Sequence, residues 1–493
     1  MRAAWVSMDI EVERPGGKPR MADIVSTLAA AIGDGRLPSG ARLPPVRALE
    51  VRYGISKNTV QAAYDELCAR GLCESRAREG VFVAAPAARA SVERMLRVPP
   101  APTLRAAPPM STWPDPTLTW LSAVFIDPDL LPRERIAECF RSVLSSPLRP
   151  FYEAQGHRGL REVIAARLAR RAIDVSPDEI IITAGSQQAI DLVARANRDR
   201  TIALETPVYS SAKQLFEGLD YRVTPLPIDP FGPLDRALWS ERLRRDRPSL
   251  QYLITSYHNP TGRSYDSDEL TFILEQAHEL GIGLFEDDWG SDMLSLSQYR
   301  PTLRALAGES VLYCDSFTKK LLPSLRTGYL VAPRALVPSL VAAKRVATLG
   351  QATLIEAALA ELLERGYYDT HLSRMQTELE ARYLHALETL RRLFPEDDVR
   401  FGTPGGGPTI WLELPRAVDL AVVRAHCRER RVVIEDASHH FVGAPHLHGF
   451  RVGYAFLPSE RLDAALEVVA DAVRKARNSP EGLAKPGCPG GWR

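Results

Sequence analysis

The sequence predicts a mostly helical N-terminal unit followed by a large α/β unit with a mostly parallel central sheet and a smaller C-terminal α/β subdomain. Three observations predict it. Helical periodicity runs through residues 20–70 and gives way to short alternation over 73–84. Val98-Pro99-Pro100-Ala101-Pro102 and Pro108-Pro109 cannot continue a helix and favour an extended, semi-rigid spacer. From about residue 118, short apolar strands alternate with helical segments, the pattern of a parallel sheet with helical crossovers. A chain of 493 residues also exceeds one ordinary core.

The expected divisions are 18–85 for the helical unit, 86–117 for the spacer, 118–477 for the α/β unit and 478–493 for a Gly/Pro-rich disordered tail. Within the α/β unit, 118–345 forms the larger part and 346–477 a helical stretch with the smaller subdomain. A hydrophobic fraction of 45% and a charged fraction of 25% are those of a globular protein. The net charge of +1 gives no global field toward nucleic acid. No apolar run reaches membrane-spanning length and no signal-peptide core opens the chain, so no membrane partner and a cytoplasmic location are expected. Six cysteines without Cys-x-x-Cys spacing argue against a zinc site or a disulfide framework.

In the first unit, Ile24, Leu28 and Ile32 form one apolar stripe of a helix that stops at Asp34-Gly35. Pro45–Tyr53 is a second, short helix with proline in the tolerated first turn. Gly54-Ile55-Ser56 turns the chain, and Ser56 caps a third helix whose inner face is Val60, Ala63, Tyr64 and Leu67. Lys57, Asn58, Thr59 and Gln61 are left on its exposed N-terminal part. Cys73–Ala84 is a hairpin turning at Arg78-Glu79-Gly80. Helix, short helix, turn, helix and hairpin make a winged helix-turn-helix.

The strings Leu37-Pro38-Ser39-Gly40-Ala41-Arg42-Leu43-Pro44-Pro45-Val46-Arg47-Ala48-Leu49 and Gly54-Ile55-Ser56-Lys57-Asn58-Thr59-Val60 resemble the GntR family of bacterial repressors. The resemblance implies that the third helix enters the major groove of double-stranded operator DNA. Arg47, Lys57, Asn58 and Thr59 are then the contacts, with the wing at Gly80 on the minor groove or backbone. The family pattern more often has arginine at position 57. Lysine keeps the charge for phosphate and loses bidentate reading of guanine. A helical protein-interaction module is the competing reading, since residues 18–83 hold only ten Lys/Arg against seven Asp/Glu.

In the second unit, strands are expected at Ile180–Thr183, Thr201–Glu205, Tyr221–Leu226, Gln251–Ser256, Ile282–Glu286, Val311–Cys314 and Gly328–Ala332. The most informative stretch is Ser316-Phe317-Thr318-Lys319-Lys320-Leu321-Leu322-Pro323-Ser324-Leu325-Arg326. An amine that condenses with an aldehyde, next to hydroxyls and an arginine able to hold a phosphate dianion, suits a Schiff-base site. The segment resembles the active-site lysine motif of fold-type I aminotransferases, which use pyridoxal 5'-phosphate (PLP). Lys319 is then the Schiff-base lysine, with Lys320 its one nearby rival, and Arg326 grips the phosphate.

Each remaining need of such a site has a candidate. Ile180–Thr183 followed by Ala184-Gly185-Ser186-Gln187 supplies a strand, a glycine turn and a helix start, so Ser186 and Gln187 join Ser316 and Thr318 around the phosphate. The resemblance places Asp287 on the ring nitrogen, Tyr209 against the ring face and Asn259, in Asn259-Pro260-Thr261-Gly262, on the ring hydroxyl. The family's second hydroxyl donor is a tyrosine; here that place holds Trp289, which donates through its indole N–H but cannot ionise. Arg451, in Phe450-Arg451-Val452-Gly453-Tyr454, is the candidate for a substrate or effector carboxylate. Tyr152 resembles the tyrosine that reaches the neighbouring subunit's phosphate. His439, His440, His446 and His448 are read as a loop at the site's mouth, with no metal.

A GntR-like head, a spacer and an aminotransferase-like body together resemble the MocR subgroup of bacterial regulators. That resemblance implies a domain-swapped homodimer that binds DNA and responds to an amino acid, another amine effector, or PLP itself. The alternative is an active aminotransferase with an appended head. Trp289 favours the first; Asn259-Pro260 and Arg451 keep the second open.

Overall fold

The computed structural model describes residues 12, 18–85, 115, 117–147, 153–293, 300–395 and 399–478. Tyr152, the spacer apart from Asp115 and Thr117, and the tail after Asn478 lie outside these residues. The chain divides into two compact units, Met1–Met110 and Ser111–Arg493.

The first unit is three helices and a hairpin. Met21–Gly33 buries Ile24, Val25, Leu28, Ala31 and Ile32 against Val60, Ala63, Tyr64 and Leu67 of the third helix, Lys57–Ala69. The short helix Val46–Tyr53 ends at Gly54, whose φ of 61° lets the chain turn sharply into Ser56. Ser56 Oγ then accepts from the Thr59 N–H at 3.2 Å, the expected N-cap. Tyr64 donates its hydroxyl to the Pro44 carbonyl at 2.8 Å, tying this helix to the loop ahead of the second one. Cys73–Arg76 and Gly80–Val83 pair antiparallel as the wing.

The second unit is built on a seven-stranded sheet. Its order is Ile180–Thr183, Gly328–Val331, Val311–Ser316, Gly283–Asp287, Leu250–Leu253, Thr201–Thr206 and Arg222–Pro227. All seven expected strands are present, shifted by no more than a few residues at their ends. Gly328–Val331 runs antiparallel to both neighbours, and the other pairings are parallel. Strands such as Ile180-Ile181-Ile182-Thr183 and Thr201–Thr206 are buried almost throughout, as a sheet covered on both faces demands. At Gly328 a Cβ would lie 2.7 Å from the Asp315 carbonyl and 2.9 Å from Gly185, so only glycine lets the lysine loop and the glycine turn approach this closely.

The helices Val337–Thr348, Thr353–Glu364 and Tyr367–Leu393 lead into the smaller part. There Arg400–Phe401, Thr409–Glu413 and Gly449–Gly453 make an antiparallel sheet covered by Leu420–Glu429 and Ser459–Asn478. A short parallel pair joins Thr119–Trp120 to Val432–Val433, so the segment that opens the unit is stitched to its smaller part. No helix among the described residues is long and apolar enough to cross a membrane.

Candidate cofactor site and DNA-binding surface

The parallel strands end where the expected cofactor residues lie, as ligand sites in open α/β sheets do. Gly283–Asp287 carries Asp287 at its C-terminal end, and Val311–Ser316 delivers Lys319 through a single 3-10 turn. That turn is capped by Ser316, whose Oγ accepts from the Thr318 N–H at 3.1 Å and donates to the Thr327 carbonyl at 3.3 Å. Ser316 thus shapes the lysine loop, with its hydroxyl committed to backbone.

The adjacent lysines have opposite environments. Lys320 is 0% exposed and its Nζ lies 2.5 Å from Asp315 Oδ1 and 3.7 Å from Asp292 Oδ2. Lys319 makes no ion pair or hydrogen bond among the described residues; its Nζ sits 3.7 Å from the centre of the Phe125 ring. Burial and the nearby Arg451 and Arg326 guanidinium groups lower the Lys319 amine to about 7. A large share of it is therefore an unprotonated nucleophile near neutral pH.

Around Lys319 the site presents buried polar atoms with no partner. Asp287 is 2% exposed; its Oδ2 accepts from the Tyr252 hydroxyl at 2.8 Å, while its Oδ1 has none. Burial pushes this carboxyl up to about 7, with Asp315 and Asp288 adding to the rise against the Tyr252 hydrogen bond. Trp289 Nε1, Thr318 Oγ1 and Gln187 Oε1 are likewise unpartnered. Such groups are costly unless something satisfies them. A protonated ring nitrogen suits Asp287 Oδ1, and a phosphate accepts from Thr318 Oγ1. These donors and acceptors fit PLP.

The phosphate end has its own geometry. Gly185, φ 78°, precedes the helix Ser186–Ala196, whose first N–H groups have no intrahelical partner. A Cβ on Gly185 would lie 3.1 Å from Arg326 Nη2 and 3.2 Å from Thr318 Oγ1, so the glycine, the arginine and the hydroxyl enclose one cradle. Arg326 adopts left-handed backbone, φ 46°, and its Nη2 donates to the Ala184 carbonyl at 2.8 Å. Gln187 Nε2 is turned to the Ser211 carbonyl at 3.3 Å, which leaves backbone N–H groups as that residue's contribution to an anion.

Tyr209 precedes the helix Ser210–Gly218, close enough to Asp287, Arg326 and Arg451 to feel their charges; burial raises its phenol. Asn259 is buried and accepts from Arg451 Nη1 at 2.5 Å. The four histidines separate. His439 and His440 approach Glu435, at 3.0 and 3.4 Å, whereas His446 and His448 bond to the Ile228 and Val418 carbonyls.

Sequence reasoning missed Phe125, Tyr252, Asp315 and Glu435. An aromatic or acidic residue carries no local signal of a role that depends on segments far away in the chain. The acidic run Glu286-Asp287-Asp288 did carry such a signal, because it ends an apolar strand.

On the first unit, Arg47, Lys57 and Asn58 are exposed, Thr59 is half-buried, and Gly80 is exposed at the start of the second wing strand. The Thr59 hydroxyl is 2.8 Å from Ser56 Oγ, so it helps to close the cap. Arg76 stacks on Phe82 at 4.5 Å and pairs with Glu74, which stiffens the wing.

A winged helix-turn-helix and an aminotransferase fold in one chain define a DNA-binding regulator with an aminotransferase-like domain. Residues 21–83 match the bacterial regulatory proteins of the gntR family, and residues 128–471 match aminotransferase class I and II. The chain is 27% identical to the probable rhizopine catabolism regulatory protein MocR of Rhizobium meliloti, over 95% of this chain and 96% of that one. It is 31% identical to the 2-aminoadipate transaminase of Thermus thermophilus, over 72% of this chain and 88% of that one. A crystal structure of LysN, the alpha-aminoadipate aminotransferase of the same organism, superposes with a TM-score of 0.68 at 28% identity, covering 73% of this chain and 93% of that one. The chain belongs to the aminotransferase class I and II family and, through its N-terminal unit, to the MocR-type GntR transcriptional regulators. Its cofactor is pyridoxal 5'-phosphate.

Proposed function

We propose that this regulator senses a primary amine through the site around Lys319 and changes its hold on operator DNA in response. The observation that carries the reading is the pair of lysines: Lys320 is locked by Asp315, while Lys319 is half-buried, makes no ion pair among the described residues and is lowered to about 7. The cofactor, when bound, supplies an aldehyde for amine capture and an electron-withdrawing ring. The chain's own groups do the rest. Gly185, Ser186, Gln187, Thr318 and Arg326 hold the phosphate. Asp287 keeps a proton on the ring nitrogen, oriented by Tyr252. Tyr209 covers the ring, and Asn259 and Trp289 donate to its hydroxyl. Lys319 would be the amine that holds the aldehyde, and its Nζ is the group placed to accept a proton there. Arg47, Lys57, Asn58 and Thr59 contact the operator, Lys57 through phosphate, with the wing at Gly80 on the minor groove or backbone.

The chain is taken to act as a homodimer in which each body completes the other's site, with two heads on two half-sites, a reading that rests on the resemblance of Tyr152 to the tyrosine that reaches the neighbouring subunit's phosphate. A DNA-binding role goes with a cytoplasmic location. The test is the cofactor's absorption during titration with amines, read beside release of the carbonyl product, a keto acid from an amino acid or an aldehyde from a simple amine. A stable spectral change without product supports the sensor. Repeated turnover supports the second reading, an aminotransferase with an appended head. That reading draws on the Asn259–Arg451 contact and on likeness to a transaminase.

A further inference from the structure

Arg451 is already engaged. Its Nη2 forms an ion pair with Glu435 Oε2, its Nη1 donates to Asn259 Oδ1 at 2.5 Å, and its Nε donates to the Ser122 carbonyl at 3.0 Å. Glu435 is in turn held from several sides. Its backbone N–H donates to Ser122 Oγ at 3.1 Å, and its Oε1 accepts from His439 Nε2 at 3.0 Å. His440 Nε2 lies 3.4 Å from the same oxygen, and His440 is itself fixed by Nδ1 donating to the Val208 carbonyl at 2.7 Å. Although burial pushes the Glu435 carboxyl up, Arg451 first and then His439 hold it well below the usual carboxylate range.

A guanidinium receives a carboxylate through its charge and a fork of two N–H groups. Here the charge and one arm of the fork already serve a carboxylate of the same chain. We propose that Glu435 is a specificity-determining residue, a built-in carboxylate on Arg451 that makes the site favour primary amines without a carboxylate on the amine-bearing carbon over α-amino acids. The inference rests on the Lys319-centred reading and names its ligand class. An α-amino acid must either displace Glu435, stranding a mostly buried anion, or set its own carboxylate beside it. Both weaken its binding, which is selection by repulsion. An amine lacking that group leaves the Arg451–Glu435 pair intact.

The experiment has two arms, both on the full chain. Cofactor-loaded protein is titrated with alanine and with ethylamine, followed by cofactor absorption. Cofactor-free protein is titrated calorimetrically with propionate. In the wild type, ethylamine should bind at least as tightly as alanine. In Glu435→Gln, alanine should gain about tenfold or more, ethylamine should change by less than about threefold, and propionate should bind about tenfold tighter than in the wild type. A wild type that prefers alanine over ethylamine by about tenfold overturns the proposal. So does a Glu435→Gln protein whose alanine and propionate affinities stay where they were. Should that variant fail to fold, the wild-type alanine-to-ethylamine ratio decides alone. The propionate arm needs no cofactor, so a chain that never takes up PLP refutes the Lys319 reading in the first arm while the second still reports on Glu435.

Discussion

Replacing each of the two adjacent lysines in turn should give opposite phenotypes. Lys320→Met removes the cation that neutralises Asp315, leaving that carboxylate 3% exposed with the Tyr329 hydroxyl at 3.1 Å and with Asp292 and Asp288 nearby. Breaking a buried pair from one side costs about 3–5 kcal/mol. At an unfolding entropy of about 2 cal/mol/K per residue, a unit of this size should lose about 4–6 °C of melting temperature. Covalent cofactor attachment should survive. Lys319→Ala removes an amine that opposes two guanidinium charges and touches one ring face. It should leave the melting temperature of the cofactor-free protein unchanged or higher and abolish attachment. The assays are differential scanning calorimetry without cofactor and borohydride trapping followed by peptide mass analysis with it. Trapping on position 320, or a Lys320→Met protein as stable as the wild type, would refute the reasoning.

Further outcomes follow from the same geometry. Asp287 is raised to about 7 from an ordinary aspartate value, so the folded cofactor-free protein binds more protons than the unfolded chain between about pH 4 and 7. Its contribution to stability is present below that window and falls as pH rises through it; thermal melts from pH 5 to 7.5 should show this, with a weaker dependence once a protonated ring nitrogen donates to Asp287 Oδ1 and favours the carboxylate form. Gly185→Ala forces a side chain into φ 78° and into the Arg326–Thr318 cradle, so cofactor affinity measured by equilibrium dialysis should fall at least about tenfold. Lys57→Ala should weaken operator binding by a similar factor for every sequence, reduce the salt slope by about 1, and leave the cofactor spectrum untouched. Trp289→Tyr supplies a hydroxyl in place of an unpartnered indole N–H and should raise release of the carbonyl product, keto acid or aldehyde, from any amine the site turns over.

The fold is readable because its signals are local. Ile180-Ile181-Ile182 is apolar and β-branched, Gly185 ends it, and Ser186 opens a helix; each step follows from residues within one short segment. The head is readable for the same reason, through Ser56, Gly54 and the spacing of Val60, Ala63, Tyr64 and Leu67. What stays hidden is the set of relations between distant segments. The motif points to Lys319 and leaves Lys320 as its rival; the physical difference between them is made by Asp315, by Phe125 far earlier in the chain, and by the sheet that brings them together. Ser316 reads as a phosphate ligand from its neighbours, whereas its hydroxyl closes the turn that presents Lys319. Glu435 escapes notice because an acid next to histidines reads as an ordinary surface loop until Arg451 is seen on its other side.

These relations give the site a consistent electrostatic order. Beneath the lysine loop, Asp315, Asp292 and Asp288 face Lys320, Arg167 and Arg171, a buried network whose cations are all taken. Above it, Arg326 and Arg451 flank Lys319 and lower its amine. Paired charges around Lys320 hold that part of the site rigid; around Lys319, where Arg451 is paired with Glu435, Arg326 is the cation that draws a phosphate. Placing Lys320 in the lower layer and Lys319 in the upper requires only one residue of chain, because successive side chains of a tight turn point to different sides. A slip of one position the other way would set Lys319 against Asp315 and leave Thr318 in the upper layer, with no amine there at all. The register of this turn, closed by Ser316 on both the Thr318 N–H and the Thr327 carbonyl, is therefore what separates a structural lysine from a reactive one.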